Sequence, residues 1–130
     1  MIVTDASVIL EVLLRSPATA RIEERIFATR ESLHAPHLID LEVAQVLRRY
    51  VMQGEMYADR GRMALDLFSK FPITRYSHEP LMPRIWALRS NLTAYDAAYV
   101  ALAEGLGATM LTRDERLARA PGNRATLELI

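Results

Sequence analysis

The chain has 130 residues, a length that fits one compact domain and excludes an enzyme built of two. Hydrophobic residues make up 51% of it and charged residues 25%, proportions that exclude an intrinsically disordered protein. The 16 basic residues balance the 16 acidic ones, so no net charge attracts a nucleic acid or an anionic membrane, and a polyanion would have to bind a local patch.

Cysteine and targeting signals are both absent from the sequence. Without cysteine there is no disulfide, no thiolate metal site and no cysteine nucleophile, a composition that suits a reducing compartment. The first residues, Met1–Asp5, do not form the basic and then apolar pattern of a secretory signal, and no apolar run approaches the roughly 18 residues of a membrane span. We therefore expect a soluble protein of the cytoplasm with no membrane partner.

Short apolar runs alternate with helical patterns along the whole chain. In chain order, the patterns predict a strand at Met1–Thr4, helices at Ala6–Leu14 and Pro17–Thr29, a strand at Ser32–Ala35, and helices from Pro36 to Gly54 and over Glu55–Phe71. They continue with a strand at Ile73–Tyr76, helices at Pro80–Leu88 and Thr93–Leu106, a strand at Ala108–Thr112, a short helix at Glu115–Ala118 and a final strand at Ala125–Leu129.

This alternation of elements predicts the fold class. Short apolar strands separated by helices are typical of a parallel sheet that is buried on both faces. No linker or repeat interrupts the pattern, so we expect one domain over residues 1–130. The expected fold is α/β, a three-layer α/β/α sandwich around a mainly parallel central sheet of short strands.

Four acidic residues fall where the binding site of an open parallel sheet lies, beyond the carboxyl ends of the strands. Asp5 follows the first predicted strand and Asp114 follows the fourth. Glu42 lies near the start of its helix, and Asp96 lies in the first turn of its own. The small pair Ala97–Ala98 directly after Asp96 lets that helix approach the sheet closely. We therefore predict that the four carboxylates converge at one edge of the sheet.

A cluster of unpaired carboxylates is a candidate metal site. Like charges held close together repel each other, and a bound divalent cation relieves that repulsion. Oxygen ligands without histidine or cysteine favour a hard ion, which indicates Mg²⁺ or Mn²⁺ rather than zinc. Such an ion activates a water molecule and stabilises charge on phosphate oxygens, so the pattern indicates phosphodiester hydrolysis.

Each of the four acids also has a purely structural interpretation. Thr93–Asp96 and Thr112–Glu115 have the spacing of a capping box, in which the acid satisfies free amide groups at a helix start. Asp5 would cap the helix that begins after it, and Glu42 would lie on a solvated helix face. Taken singly, the acids are weak evidence, and only their joint placement indicates a site.

The segments that carry these acids also form a recognisable set: Ile2–Ser7, Pro36–Val43, Leu92–Ala103 and Leu111–Leu117. Together they resemble the PIN-domain family and, within it, the VapC-type toxins of bacterial toxin–antitoxin pairs. The resemblance extends over essentially the full length of the chain. It implies a PIN-like fold and a ribonuclease whose metal site is formed by Asp5, Glu42, Asp96 and Asp114.

The same resemblance implies neighbours of the site and partners of the protein. Ser7 and Thr112 would lie beside the acids and orient carboxylates or water molecules. A VapB-type antitoxin would cover the groove, and the toxin would form homodimers within a larger toxin–antitoxin complex.

Our leading hypothesis is thus an endoribonuclease, dependent on Mg²⁺ or Mn²⁺, that cleaves a structured cellular RNA such as a tRNA or an rRNA. Candidates for contacting this RNA are Arg113, Arg116 and Tyr95, although for any single arginine a solvated charged face is the preferred interpretation. Two other functions stay open, a non-catalytic PIN-like module that binds RNA or protein and a metal-dependent DNA nuclease. No acid of the pattern is missing, which argues against the first, and the chain is short for the second.

Overall fold

Five short strands form one parallel sheet at the centre of the protein. A computed structural model of the chain describes residues 1–130. The strands are β1 (Ile2–Thr4), β2 (Leu33–Pro36), β3 (Ile73–Tyr76), β4 (Thr109–Thr112) and β5 (Thr126–Leu129). Their order in the sheet is β3-β2-β1-β4-β5, and every neighbouring pair is parallel. The predicted mainly parallel sheet is confirmed, and it contains no antiparallel strand.

Seven α-helices surround the sheet. They are α1 (Ala6–Leu13), α2 (Thr19–Phe27), α3 (Leu38–Met52), α4 (Ala58–Ser69), α5 (Met82–Ala87), α6 (Ala94–Leu106) and α7 (Glu115–Ala118). Every residue of β1 and β2 is buried, and because successive side chains of a strand point to opposite faces, both faces of these strands are covered. The predicted α/β sandwich is therefore confirmed. None of the helices combines the length and the apolar character that a membrane crossing requires.

Helix α6 packs closely on the centre of the sheet because its buried face is made largely of small side chains. Ala97, Ala98, Ala101 and Ala103 are all buried there, and the helix contacts both β1 and β2. At its end, Gly107 adopts a left-handed conformation with φ of +62°, which favours glycine over residues with a side chain. This turn leads the chain directly into β4 and so places the end of β4 beside the end of β1.

Two predicted helices differ from the observed ones at their starts. The helix predicted over Glu55–Phe71 begins only at Ala58, because Gly54 turns the chain with φ of +75° and the following residues stay non-helical. The helix predicted over Pro80–Leu88 is divided into a 3₁₀ turn, Glu79–Leu81, and α5. Proline fits only the first turn of a helix, and this segment holds one proline at the start of each piece. Elsewhere the predicted bounds differ little from the observed ones.

The close packing of α6 predicts a large penalty for a larger side chain in its buried face. Replacing Ala101, which is 3% exposed, by leucine should lower the free energy of unfolding by about 1–3 kcal/mol through overpacking. Gly105 of the same helix is the matched control, because a Cβ added there meets nothing within 4 Å. Gly105→Ala should raise the free energy of unfolding by roughly 0.5–1 kcal/mol. Urea denaturation of both variants measures the difference, and equal stabilities would contradict the described packing.

Candidate active site

The four predicted acids line one cleft at the carboxyl ends of the central strands. Because β1 and β4 are adjacent and parallel, the residues that follow them reach the same edge of the sheet. The cavity there has a volume of about 720 Å³. We call it the acidic cleft, and its walls include Asp5, Glu42, Asp96, Asp114, Tyr95 and Tyr99. The structure therefore brings together all four acids that the sequence pattern singled out.

Asp5 is the most firmly held of the four acids. It is 8% exposed and caps α1, with its Oδ1 accepting a hydrogen bond from the Val8 N–H at 3.2 Å. The same oxygen accepts from Ser7 Oγ at 2.5 Å, and Oδ2 accepts from Thr112 Oγ1 at 2.6 Å. Asp5 thus acts as the helix cap that its structural interpretation predicted, and it also lies at the floor of the cleft.

Ser7 and Thr112 connect Asp5 to the loop between β4 and α7. Ser7 Oγ accepts a hydrogen bond from the Arg113 N–H at 3.0 Å. Thr112 Oγ1 accepts one from the Asp114 N–H, also at 3.0 Å. Each hydroxyl therefore donates to the Asp5 carboxylate and accepts from this loop, which fixes the position of the loop relative to Asp5.

The predicted capping box over Thr112–Glu115 is not formed. Asp114 itself caps α7, because its Oδ1 accepts hydrogen bonds from the N–H groups of Arg116 at 2.9 Å and Leu117 at 3.2 Å. The hydroxyl of Thr112 is unavailable for this role, since it is shared between Asp5 and the amide of Asp114. Asp114 is therefore held at the cleft by backbone amides.

Asp96 enters the cleft from the first turn of α6. Thr93 caps this helix as predicted, and its Oγ1 accepts a hydrogen bond from the Asp96 N–H at 3.1 Å. Asp96 is half-buried and forms no salt bridge. Its position follows from the close packing of α6 on the sheet, because the alanines after it bring the start of the helix to the strand ends.

Glu42 is held by a residue that the sequence analysis did not identify. Tyr99 of α6 is 1% exposed, and its Oη donates a hydrogen bond to Glu42 Oε1 at 2.5 Å. Burial raises the pKa of the Tyr99 phenol, and the hydrogen bond to Glu42 raises it further, so the phenol stays protonated as a donor. Helical spacing offered a signal for it, since Tyr99 lies one turn after Asp96.

Asp5, Glu42, Asp96 and Asp114 carry negative charge in the acidic cleft that no basic side chain neutralises by direct contact. Burial raises the pKa values of Asp5, Glu42 and Asp96, and neighbouring carboxylates raise each of them further. The repelling neighbours are Asp96 for Asp5, Asp5 and Asp96 for Glu42, and Asp114 for Asp96. None of the four acids forms a salt bridge.

The donor chemistry of the cleft fits a hard divalent cation, whereas the arrangement of its oxygens is not that of a formed metal site. All four side chains offer carboxylate oxygens, the ligands that Mg²⁺ and Mn²⁺ prefer. No group of three or more His, Asp or Glu side chains is arranged so that it could hold one metal ion. Binding a cation would therefore require the acidic side chains to reorient towards one another.

The three candidate RNA contacts occupy different environments. Arg113 is half-buried and engaged, because its Nε lies 3.5 Å from Glu11 Oε1 and its Nη1 donates to the carbonyl of Ile130. Arg116 is exposed, and its charge lowers the pKa of Asp96. Tyr95 is 63% exposed at the wall of the acidic cleft. The structure therefore leaves Arg116 and Tyr95 accessible and gives Arg113 a structural role.

The raised pKa values predict how stability depends on pH in the absence of metal. A raised pKa means that the folded state binds more protons, so this contribution to stability is present below the unfolded values of about 3.8–4.5 and is lost as pH rises through the folded values. Asp96→Asn removes one of these charges. Its stability relative to the wild type should therefore increase as pH rises above about 4.

Urea denaturation between pH 4 and pH 8 in EDTA tests this expectation. The matched control is Asp59→Asn, because Asp59 has a 92% exposed side chain on α4 and does not line the cleft. Its stability difference from the wild type should change little over the same range. A pH-independent difference for Asp96→Asn would show that the pKa of Asp96 is not raised.

Comparison with known proteins identifies the family. The PIN domain family matches residues 2–123. The VapC ribonuclease Mb0985 of Mycobacterium bovis is 44% identical over 117 residues, which cover 90% of this chain and 88% of that protein. Ribonuclease VapC12 of Mycobacterium tuberculosis is 39% identical over 130 residues, which cover 100% of this chain and 99% of that protein.

A solved structure shows the same fold. The crystal structure of VapBC2 from Rickettsia felis, bound to a DNA fragment from their promoter, superimposes with a TM-score of 0.73 at 14% identity and covers 99% of this chain and 98% of that chain. At this identity the likeness concerns the fold alone. The family match and the two similar sequences cover nearly the whole chain, and the family match, over residues 2–123, includes all four acids. The chain therefore belongs to the PIN-domain family and, within it, to the VapC ribonucleases.

Proposed function

We propose that this chain is the toxin of a toxin–antitoxin pair, a cytoplasmic endoribonuclease that depends on Mg²⁺ or Mn²⁺. Its substrate is a structured cellular RNA, a tRNA or an rRNA, in which it hydrolyses phosphodiester bonds. One observation carries the proposal: four carboxylates without a basic partner line one cleft at the edge of the sheet. The names of the similar proteins, which are ribonucleases, support it.

Asp5, Glu42, Asp96 and Asp114 are the residues that would hold the cation. When bound, a divalent cation activates water and stabilises charge on phosphate oxygens. The chain's own residues supply the binding framework. Asp5 is oriented by two hydroxyls and an amide, Asp114 by two amides and Glu42 by a phenol.

The partner that we propose is a VapB-type antitoxin, within a complex that contains a toxin homodimer. The acidic cleft has an apolar wall from α1 and α3, formed by Leu10, Leu38, Leu41 and Val46. A partner segment with apolar side chains and one cation matches both this wall and the unpaired acids. The VapBC2 structure from Rickettsia felis supports a partner of this kind.

A second candidate function is a PIN-like module that binds RNA or protein without cleaving. The observation that favours it is the arrangement of the acids, no three of which are set to hold one metal ion. The two candidates differ in a single measurable property, because only the nuclease breaks phosphodiester bonds. A cleavage experiment therefore separates them.

Cleavage of total cellular RNA by the purified chain, freed of any copurified protein, is the decisive test. With Mg²⁺ or Mn²⁺ we expect a discrete set of fragments, and with EDTA none. Asp5→Asn, Glu42→Gln and Asp96→Asn should each lower the rate roughly 100-fold or more, because each removes a charge that holds the cation. Mapping the ends of the fragments would identify the RNA.

The control for these variants is again Asp59→Asn, an equally conservative change outside the cleft, which should cleave like the wild type. Circular dichroism checks that every variant is folded. RNA binding without cleavage in the presence of either metal would support the binding module. Equal cleavage by Asp5→Asn and Asp96→Asn would contradict the proposed site.

The RNA is proposed to leave the acidic cleft through a neighbouring groove. This groove has a volume of about 600 Å³ and shares Asp96 and Leu117 with the cleft. Two arginines line it, but Arg119 Nη2 lies 2.6 Å from Glu115 Oε1, whereas Arg116 has no ion-pair partner. An unpaired guanidinium beside the acids is suited to bind an RNA phosphate.

This difference between the two arginines predicts unequal effects on RNA binding. Arg116→Gln should weaken binding and should reduce the dependence of log K on log salt concentration by about 0.7, the value for one phosphate of a single strand. Arg119→Gln, the matched control, should have a smaller effect on the RNA affinity and on its salt dependence. Fluorescence anisotropy of a short single-stranded RNA measures the affinity. Both substitutions are made in the Asp5→Asn variant and measured in EDTA, so that the RNA binds without being cleaved. Equal effects of the two substitutions would contradict this path.

A further inference from the structure

Tyr99 places a hydroxyl group in an otherwise apolar helix face. The other buried residues of α6 are Ala97, Ala98, Val100, Ala101, Leu102 and Ala103. A phenylalanine would fill nearly the same volume without a polar atom. A buried hydroxyl is unfavourable unless it forms a hydrogen bond, and that of Tyr99 donates to Glu42 Oε1 at 2.5 Å. The contact to Glu42 is therefore the feature that distinguishes tyrosine from phenylalanine here.

Glu42 depends on this contact more than Asp5 and Asp114 depend on any one of theirs. Asp5 accepts hydrogen bonds from three donors, and Asp114 accepts from two backbone amides. Glu42 has a longer side chain, and the Tyr99 hydroxyl is its single hydrogen-bond donor. The bond occupies Oε1 and leaves Oε2 without a protein donor. One oxygen is thus held by the core while the other is available to the cleft.

The contact also joins two separate elements of the fold. Tyr99 lies on α6, one turn after Asp96, and Glu42 lies on α3, so the bond connects the two helices that carry these cleft acids. Both residues line the acidic cleft. A hydrogen-bonding partner of this kind, which orients a ligand without itself binding metal, commonly contributes a factor of 10 to 100 in metal affinity or activity.

We propose that Tyr99 is a positioning residue, whose buried hydroxyl holds Glu42 Oε1 and so leaves the other carboxylate oxygen of Glu42 available to a divalent cation in the acidic cleft. This inference rests on the proposed function, because it assigns Tyr99 a role at the same site. A purely structural role would depend on the ring of Tyr99, whereas the proposed role depends on its hydroxyl oxygen.

Metal binding by Tyr99→Phe tests the proposal without relying on activity. Isothermal titration calorimetry of the full chain with Mn²⁺ at constant pH measures the affinity. Tyr99→Phe should bind Mn²⁺ 10-fold to 100-fold more weakly than the wild type. The matched control is Tyr76→Phe, because the Tyr76 hydroxyl also forms a hydrogen bond, to His34 Nδ1 at 2.8 Å, but lies outside the cleft. Its affinity should equal that of the wild type. Thermal unfolding checks that both variants keep the fold.

A double-mutant cycle tests whether Tyr99 acts through Glu42. If it does, Tyr99→Phe combined with Glu42→Gln should bind Mn²⁺ no more weakly than Glu42→Gln alone. Should Tyr99→Phe fail to fold, Glu42→Asp breaks the same contact from the other side, because its carboxylate is one methylene further from the phenol. It leaves the core tyrosine in place, and its affinity should fall in the same range.

Failure of the inference and failure of the proposed function give different results. If the wild type binds Mn²⁺ and cleaves RNA but Tyr99→Phe binds Mn²⁺ equally well, the inference alone is wrong. Multiplied losses in the double variant would also overturn it, because Tyr99 would then act independently of Glu42. If the wild type neither binds Mn²⁺ nor cleaves RNA, the proposed function is wrong and the inference falls with it.

Discussion

The buried carboxylate of Asp5 is the interaction on which the arrangement of the cleft depends. Through three hydrogen bonds it caps α1 and contacts Ser7 of that helix and Thr112 at the end of β4. The two hydroxyls in turn bind amides of the loop that carries Asp114. The ends of two central strands, the start of one helix and the loop before another are therefore fixed by one side chain. Its burial is tolerated because both of its oxygens are hydrogen-bonded.

Acidic side chains outside the cleft and the four acids inside it differ in whether they have a basic partner. Outside the cleft, partly buried acids are paired, as in the contacts of Asp40 with Arg75 at 2.8 Å and of Glu104 with Arg84 at 2.7 Å. Inside the cleft, Asp5, Glu42, Asp96 and Asp114 have no such partner, and carboxylates among them repel one another. A fold selected for stability alone would pair them, so the unpaired charge indicates a site that trades stability for binding.

Much of the fold and the four acids could be predicted from the sequence, whereas the contacts among them could not. Apolar runs and helical periodicity indicated the strands, and adjacent parallel strands necessarily end at one edge, which placed Asp5 and Asp114 together. The capping box that was the structural alternative for Thr112–Glu115 is not formed, because the Thr112 hydroxyl donates to Asp5, which is distant in the sequence, and Asp114 caps α7 instead. Tyr99 was missed for a similar reason, since its partner Glu42 is on another helix.

The sequence by itself determined the α/β class, the parallel sheet and the identity of the acids at its edge. These follow from local periodicity and from the geometry of parallel strands, which act over a few residues or by a general rule. Only the tertiary structure decided that Thr112 donates to Asp5, that Arg113 is engaged while Arg116 is free, and that a phenol from α6 orients Glu42. Such pairings join residues far apart in the chain, and no local pattern encodes the packing that brings them together.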